Sequence, residues 1–286
     1  MDATPGPAPQ PTKSYAAWLS RLRSAAATWP DLQTAVLGSV GSYPLLRLTK
    51  PAERRIRGKA PRIVLTAGVH GDEPAGVEAV TRLLERSTDW RPLLAGYDLT
   101  IFPCANPTGY AFATRVNHQD IDLNRMFDHP APPPEVALIR AALEAGGRDG
   151  LPDLSVELHE DVDSDGFYLY ELSDRPGLGT AVIEAVEAVA AINGRPHIEG
   201  WAAAGGIIRP DPEQTLALHP NHWPQALYSF RMGTPCCLTF ETPVPGLPLT
   251  RRAEIHLIAL QAALAQHERR TDTRSVRRRA RRLEEA

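Results

Sequence analysis

The residues of this chain best able to do chemistry together are two histidines and two glutamates, each found where an apolar run stops. The stretch "TAGVHGDEPAGVEAV", residues 66–80, carries His70 and Glu73 three apart across a Gly-Asp turn. "LSVELH" ends on His159, and "CCLTFE" ends on Glu241. Two imidazoles and one carboxylate suit a catalytic zinc ion, which keeps a fourth position open for water or substrate. A second carboxylate then has the task of taking a proton from water and passing it to a leaving group. His70, Glu73 and His159 are thus candidate ligands of one Zn2+ per chain, and Glu241 is the candidate proton carrier.

Each signal alone has a plainer reading. H-x-x-E is common, and a glutamate there also suits the start of a helix. His159 alone is a polar strand end, and Glu241 alone is a partner for an arginine. Together these readings require coincidences at three strand ends, so the metal site ranks above them. The segment "TRVNHQDIDLNRMFD" adds Asp122, Asn124 and Arg125 to Arg115 in one polar stretch. A carboxylate such as Asp122 commonly accepts the second N–H of a metal-bound histidine. The two arginines offer planar forks to a substrate carboxylate, although a loop arginine in a salt bridge is the commoner case.

Positioning these groups takes a sheet. Apolar runs predict strands at 44–49, 63–69, 98–104, 154–159, 166–172 and 236–241. Helical spacing predicts helices at 14–29, 75–87, 134–146, 178–193 and about 250–268. Pro103 makes the third strand short or places it at an edge. Residues 105–133 read as a long polar loop, the kind that is usually functional or disordered. Residues 194–235 resolve only into loops with short strands, and the specificity wall is expected within 200–235. The alternation predicts an α/β fold, with a mixed, largely parallel central sheet and helices on both faces. Ligands of such sheets bind beyond the carboxyl ends of the strands, which is where the four reactive residues fall.

With 43% hydrophobic residues in 286, the chain can bury a substantial core. No linker divides residues 13–270, which read as one hydrolase domain between a disordered proline-rich lead, 1–12, and a charged tail, 271–286. The tail reads as a solvated or frayed helix rather than an RNA-binding arm, and the net charge of −3 gives no reason to expect nucleic acid. Neither a signal peptide nor a membrane-spanning run is evident, so a cytoplasmic protein without a membrane partner is expected. Cys104, Cys236 and Cys237 imply no disulfide framework and read as small buried residues in a reducing compartment.

Taken in order, HGDE, NPTGY, DLNR, ELH and TFE resemble the zinc metallocarboxypeptidases of the carboxypeptidase A type. They equally resemble the related aspartoacylase and succinylglutamate desuccinylase group. The resemblance covers roughly residues 40–268. It implies a zinc-carboxypeptidase-like fold, with zinc on His70, Glu73 and His159. It makes Glu241 the general acid/base that activates the attacking water, and Asp122 the partner of His70. It assigns Asn124 and Arg125 to the substrate carboxylate and Arg115 to the oxyanion. A loop tyrosine is common ahead of the catalytic glutamate in that family, and Tyr228 is the nearest match. Glu157, Glu160 and Asp161 make the surroundings of His159 more acidic than in digestive carboxypeptidases. The stretch after Glu241 reads as a helix and a tail, not the β-rich addition of the acylases, which favours the peptidase side. A carboxypeptidase acting on small or cell-wall-type peptides is therefore expected. The alternatives are an N-acyl amino acid deacylase and a non-catalytic binding module, the latter disfavoured because no ligand is missing.

Overall fold

In "LSVELH" the apolar residues Leu154, Val156 and Leu158 alternate with Ser155, Glu157 and His159. A strand sends the two sets to opposite faces. "CCLTFE" repeats the pattern, with Leu238 and Phe240 on one face and Thr239 and Glu241 on the other. In the computed structural model, which describes residues 12, 14–55, 59–218 and 220–284, both segments are central strands.

The N-terminal half runs α1 (Tyr15–Ala26), β1 (Gln33–Val40), β2 (Tyr43–Lys50), β3 (Arg62–Ala67), α2 (Pro74–Glu85), α3 (Ser87–Leu94), β4 (Asp98–Phe102) and α4 (Pro107–Phe112). Next come a 3-10 turn (Leu123–Arg125), α5 (Pro134–Glu144), α6 (Gly147–Gly150), β5 (Leu154–Asp161), β6 (Tyr168–Ser173) and α7 (Leu178–Glu187). The remainder is β7 (His197–Ile198), β8 (Trp201–Ala204), β9 (Ile207–Ile208), α8 (Pro212–Leu218), α9 (Gln225–Met232), β10 (Cys236–Pro243) and α10 (Leu249–Glu284). The sheet order is β1-β2-β4-β3-β5-β10-β6-β9-β8-β7. Its centre, β4-β3-β5-β10, is parallel, and both flanks are mainly antiparallel. The mixed α/β architecture expected from the sequence is the one found.

The larger core packs α1, α2, α7 and α10 against one face of the sheet through Trp18, Val80, Val182 and Leu257. The second face carries α5 and α9, through Val136, Ile139, Leu227 and Tyr228. Ser155, Glu157 and His159 belong to this second face, so the polar half of β5 lies under α9.

Several expectations change. β4 is short, as one reading of Pro103 had it, ending at Phe102, and it lies inside the sheet between β2 and β3, which rules out the edge alternative. The stretch 105–133 contains α4 and the 3-10 turn. α10 continues past the expected end near 268, through Glu284. The proline-rich lead, apart from Thr12, lies outside the described residues, as do 56–58 of the basic loop and the last two residues of the tail. All three cysteines are buried. Among the described residues, no helix is long and apolar enough to cross a membrane.

Candidate metal centre

β3 delivers His70 and Glu73 through a turn that glycine makes possible. A Cβ on Gly71 would fall 1.8 Å from the backbone carbon of Gly109, so only glycine lets the turn seat against α4. Glu73 is the residue before the first turn of α2, yet its carboxylate makes no cap bond to that helix. Glu160 caps it instead, accepting from the Ala75 amide at 2.6 Å and pairing with Arg252 of α10. Glu73 is thereby free to turn toward the two histidines.

The three donors converge. His70 Nδ1 lies 2.7 Å from Glu73 Oε1, and His159 Nδ1 lies 2.9 Å from Glu73 Oε2. The two Nδ1 atoms are 3.2 Å apart. For tetrahedral zinc with bonds of about 2.0–2.1 Å, the ligand–ligand edge is about 3.3 Å. All three side chains are buried, and one donor atom from each lies within 4.8 Å of the others. This donor set fits a divalent ion. Burial alone would favour neutral Glu73 and neutral His159. Instead, attraction between them holds Glu73 below the usual carboxylate range and His159 well above its ordinary value. The cluster therefore favours positive charge within it.

Asp122 Oδ1 meets His70 Nε2 at 3.2 Å, as expected for a partner that orients a metal-binding ring. Burial works to raise the Asp122 carboxyl, but His70 and the nearby Arg115 and Arg125 hold it below the usual range. Arg115 bonds Asp122 through Nε at 3.2 Å and reaches Glu73 at 3.5 Å. Asn124 is buried, and its Oδ1 accepts from the Gln225 amide at 3.0 Å.

β10 runs parallel to β5, with Glu241 in register with His159. Glu241 is half-buried, and no described residue donates a hydrogen bond to its carboxylate. Desolvation pushes its carboxyl up to about 8, with His159 opposing and Glu73 and Asp161 adding to the rise. Glu241, His70, Glu73, His159, Arg115, Asn124 and Arg125 all line one cavity of about 730 Å³. Part of its wall comes from the 200–235 stretch, through residues such as Trp201, His222 and Leu227.

Tyr228 is not brought to this cavity. It is on α9, but packs beside Phe127 in the second core, with its hydroxyl on Glu144 and its ring under Arg140. The helical phase that points Leu227 toward the cavity turns Tyr228 away. Two cavity tyrosines, Tyr168 and Tyr170, were missed. Their signal was the alternation in "GFYLYEL", which places both on the Glu241 face.

Comparisons with known proteins agree with this geometry. The succinylglutamate desuccinylase/aspartoacylase catalytic domain family matches residues 59–178, which is under half of the chain. A candidate metallopeptidase from Shewanella denitrificans is similar in structure, with a TM-score of 0.70, 22% identity, and coverage of 88% of each chain. A metallo-carboxypeptidase from Burkholderia cenocepacia gives a TM-score of 0.64 at 23% identity, covering 89% of this chain and 68% of its own. A metallo-carboxypeptidase from Pseudomonas aeruginosa, solved with (2-guanidinoethylmercapto)succinic acid, gives 0.63 at 20% identity, covering 87% and 68%. No curated protein matches the sequence. These likenesses show a shared fold, that of the metallo-carboxypeptidases.

Proposed function

We propose that the chain is a zinc-dependent hydrolase that cleaves an amide bond beside a free carboxylate, most simply as a carboxypeptidase on small or cell-wall-type peptides. One observation carries this reading. A three-donor metal position, an unpaired carboxylate on the adjacent strand and an arginine share one cavity. His70, Glu73 and His159 would hold the ion. When bound, it supplies Lewis acidity toward a carbonyl and toward water.

The remaining roles belong to the chain's own side chains. Glu241 accepts the proton of the attacking water and gives it to the departing nitrogen. A carboxyl that exchanges its proton near neutral pH suits both halves of that task. Arg125, with the Asn124 amide beside it, binds the substrate's free carboxylate by charge-assisted bonds. Arg115 steadies the carbonyl oxygen as negative charge grows on it. Its proximity to Glu73, at 3.5 Å, supports that assignment. Asp122 orients His70. The succinic acid derivative bound by the Pseudomonas aeruginosa enzyme is consistent with a carboxylate-recognising cavity. A cytoplasmic location belongs to the same reading and rests on the buried cysteines.

An N-acyl amino acid deacylase is the second reading, favoured by the family match over residues 59–178. The deciding experiment loads the protein with zinc and offers peptides, γ-linked peptides and N-acyl amino acids. Peptide turnover supports the first reading, and turnover of acyl amino acids alone supports the second. Stoichiometric zinc with no turnover of any would leave a binding module. Amidating the substrate's free carboxylate should cost about 1.5–3 kcal/mol in kcat/KM, the scale for a lost bond to a charged group. Full zinc retention by a His70→Ala/His159→Ala double variant would remove the site itself.

A further inference from the structure

His70 and His159 both turn Nδ1 inward and leave Nε2 facing away from the cluster. What meets Nε2 differs between them. At His70 it is Asp122, whose charge is shared. Its Oδ1 also accepts the Asn124 amide at 2.9 Å, its Oδ2 is bonded to Arg115, and its side chain is 23% exposed. At His159 it is Glu157, with Oε2 3.6 Å from Nε2. Glu157 stands two residues before His159 on β5, so strand alternation puts both on one face. It is 1% exposed, and no described residue donates a hydrogen bond to either of its carboxylate oxygens.

A buried carboxylate without donors is costly. Among the described residues, the basic group paired with it is the imidazole of His159. The field of Glu157 on that ring is neither shared with another donor nor screened by solvent, whereas Asp122 is weakened on both counts.

On the metal-site reading given above, we propose that Glu157 is the positioning residue of His159. Its carboxylate keeps the ring proton on Nε2, so that the Nδ1 lone pair faces His70 and Glu73, where an ion would be held. A neutral imidazole carries one N–H, and the acceptor beside one nitrogen decides which. Partners of this kind typically tune metal affinity 10–100-fold. Because Glu157 acts unshared, it should outweigh Asp122.

The test measures the zinc dissociation constant of the full chain by chelator competition. Glu157→Met should weaken binding about 10–100-fold, Glu157→Gln less, because its amide oxygen still accepts, and Asp122→Asn less than Glu157→Met. In a His159→Ala background, Glu157→Gln should change zinc affinity by no more than about twofold, since its effect passes through the missing ring. The zinc-loaded wild type should also show a slowly exchanging imidazole N–H proton of His159 by NMR, lost in Glu157→Met. A general packing role would leave the affinity loss in place without His159. Affinity in Glu157→Met within about twofold of wild type overturns the proposal, as does an equal loss in the His159→Ala background. If Glu157→Met does not fold, the near-isosteric Glu157→Gln decides by the same comparison. A wild type that binds no zinc brings down the metal-site reading and this inference with it, and is distinguished by that first measurement.

Discussion

Glu171 and Glu241 sit on adjacent strands of one sheet, in opposite surroundings. Glu171, on β6, faces the larger core and has a fully buried side chain. It accepts from the amides of Gly177, Leu178 and Gly179 at 2.7, 2.8 and 3.1 Å, and from Arg209 at 2.9 Å. The residue before α7 is Gly177, which has no side chain to cap the helix, so Glu171 caps it from the sheet. Glu241, on β10, lines the cavity, and its carboxylate receives no hydrogen bond from any described residue. The donors around Glu171 hold its carboxylate in place as a cap. The Glu241 carboxyl faces the cavity without such a set, and desolvation pushes it up to about 8. On these two strands, donors tie Glu171 to the fold and leave the Glu241 carboxylate facing the cavity.

The sharpest way to break this contrast is Glu241→Gln. It keeps shape and removes the proposed proton carrier, so kcat should fall about 10²–10⁴-fold, the range of general acid–base catalysis. Zinc content and Tm should stay close to wild type, because no donor is stranded. A variant that also loses zinc would make Glu241 a ligand. One that keeps full activity would end its catalytic role.

Glu171→Ala should do the reverse. Removing one member of a buried, hydrogen-bonded pair commonly costs 3–5 kcal/mol. The lower end, about 3 kcal/mol, applies here because the Arg209 side chain is 38% exposed and can rehydrate. Urea denaturation should show that loss, with kcat per folded, zinc-loaded molecule unchanged. A matching loss of kcat would mean that the two carboxylates are not separable in this way.

His256 extends the contrast to a base. It is fully buried on α10, beside the Thr242 hydroxyl at 3.2 Å. Desolvation, then the His159 charge, pull its pKa from an ordinary 6.5 down to about 3, with Arg252 adding to the fall and Glu73 opposing it. Between those values the unfolded chain binds a proton that the folded chain does not, so stability rises with pH and is lost as pH falls below 6.5. One such proton is worth about 2 kcal/mol between pH 6.5 and 5. His256→Gln should flatten the stability profile in that window. An unchanged slope would show that other groups carry the acid sensitivity.

How much of this was legible beforehand follows from the range of the interactions. The gathering of His70, Glu73, His159 and Glu241 was readable because His70, His159 and Glu241 close apolar runs, Glu73 follows His70 across a short turn, and a parallel sheet gathers strand ends without further information. The place of Asp122 beside His70 was readable through the chemistry expected of a candidate metal-binding histidine. β1 was not, because as an edge strand it is largely exposed and shows no clean apolar alternation. β7 and β9 are two residues each and exist through pairing with their neighbours, which no local pattern records. Tyr228 was misdirected because the phase of α9 is set by its packing on Phe127 and Arg140. The cap that Glu160 gives to α2 joins residues 85 positions apart, and only the fold shows that it releases Glu73.

The smallest effect tests whether donor count alone is the right measure. Arg21 makes four hydrogen bonds, two to Glu78 at 2.6 and 3.1 Å and two to Glu85 at 2.7 and 2.8 Å. By count it matches Glu171, and its side-chain bonds to Glu85 and Glu78 raise its pKa further. Its side chain is 42% exposed, however, so water competes for every one of those bonds and salt screens them. Exposed pairs of this kind contribute about 0.2–1 kcal/mol, and a small network should stay near the upper end. Arg21→Met should therefore lower stability by about 1 kcal/mol at low salt, with much of the difference gone in 1 M salt. A loss near that of Glu171→Ala would make the number of partners decisive regardless of exposure. The expected small, salt-sensitive loss would instead make burial the condition under which partners count, which is also what makes the bare carboxylate of Glu241 informative.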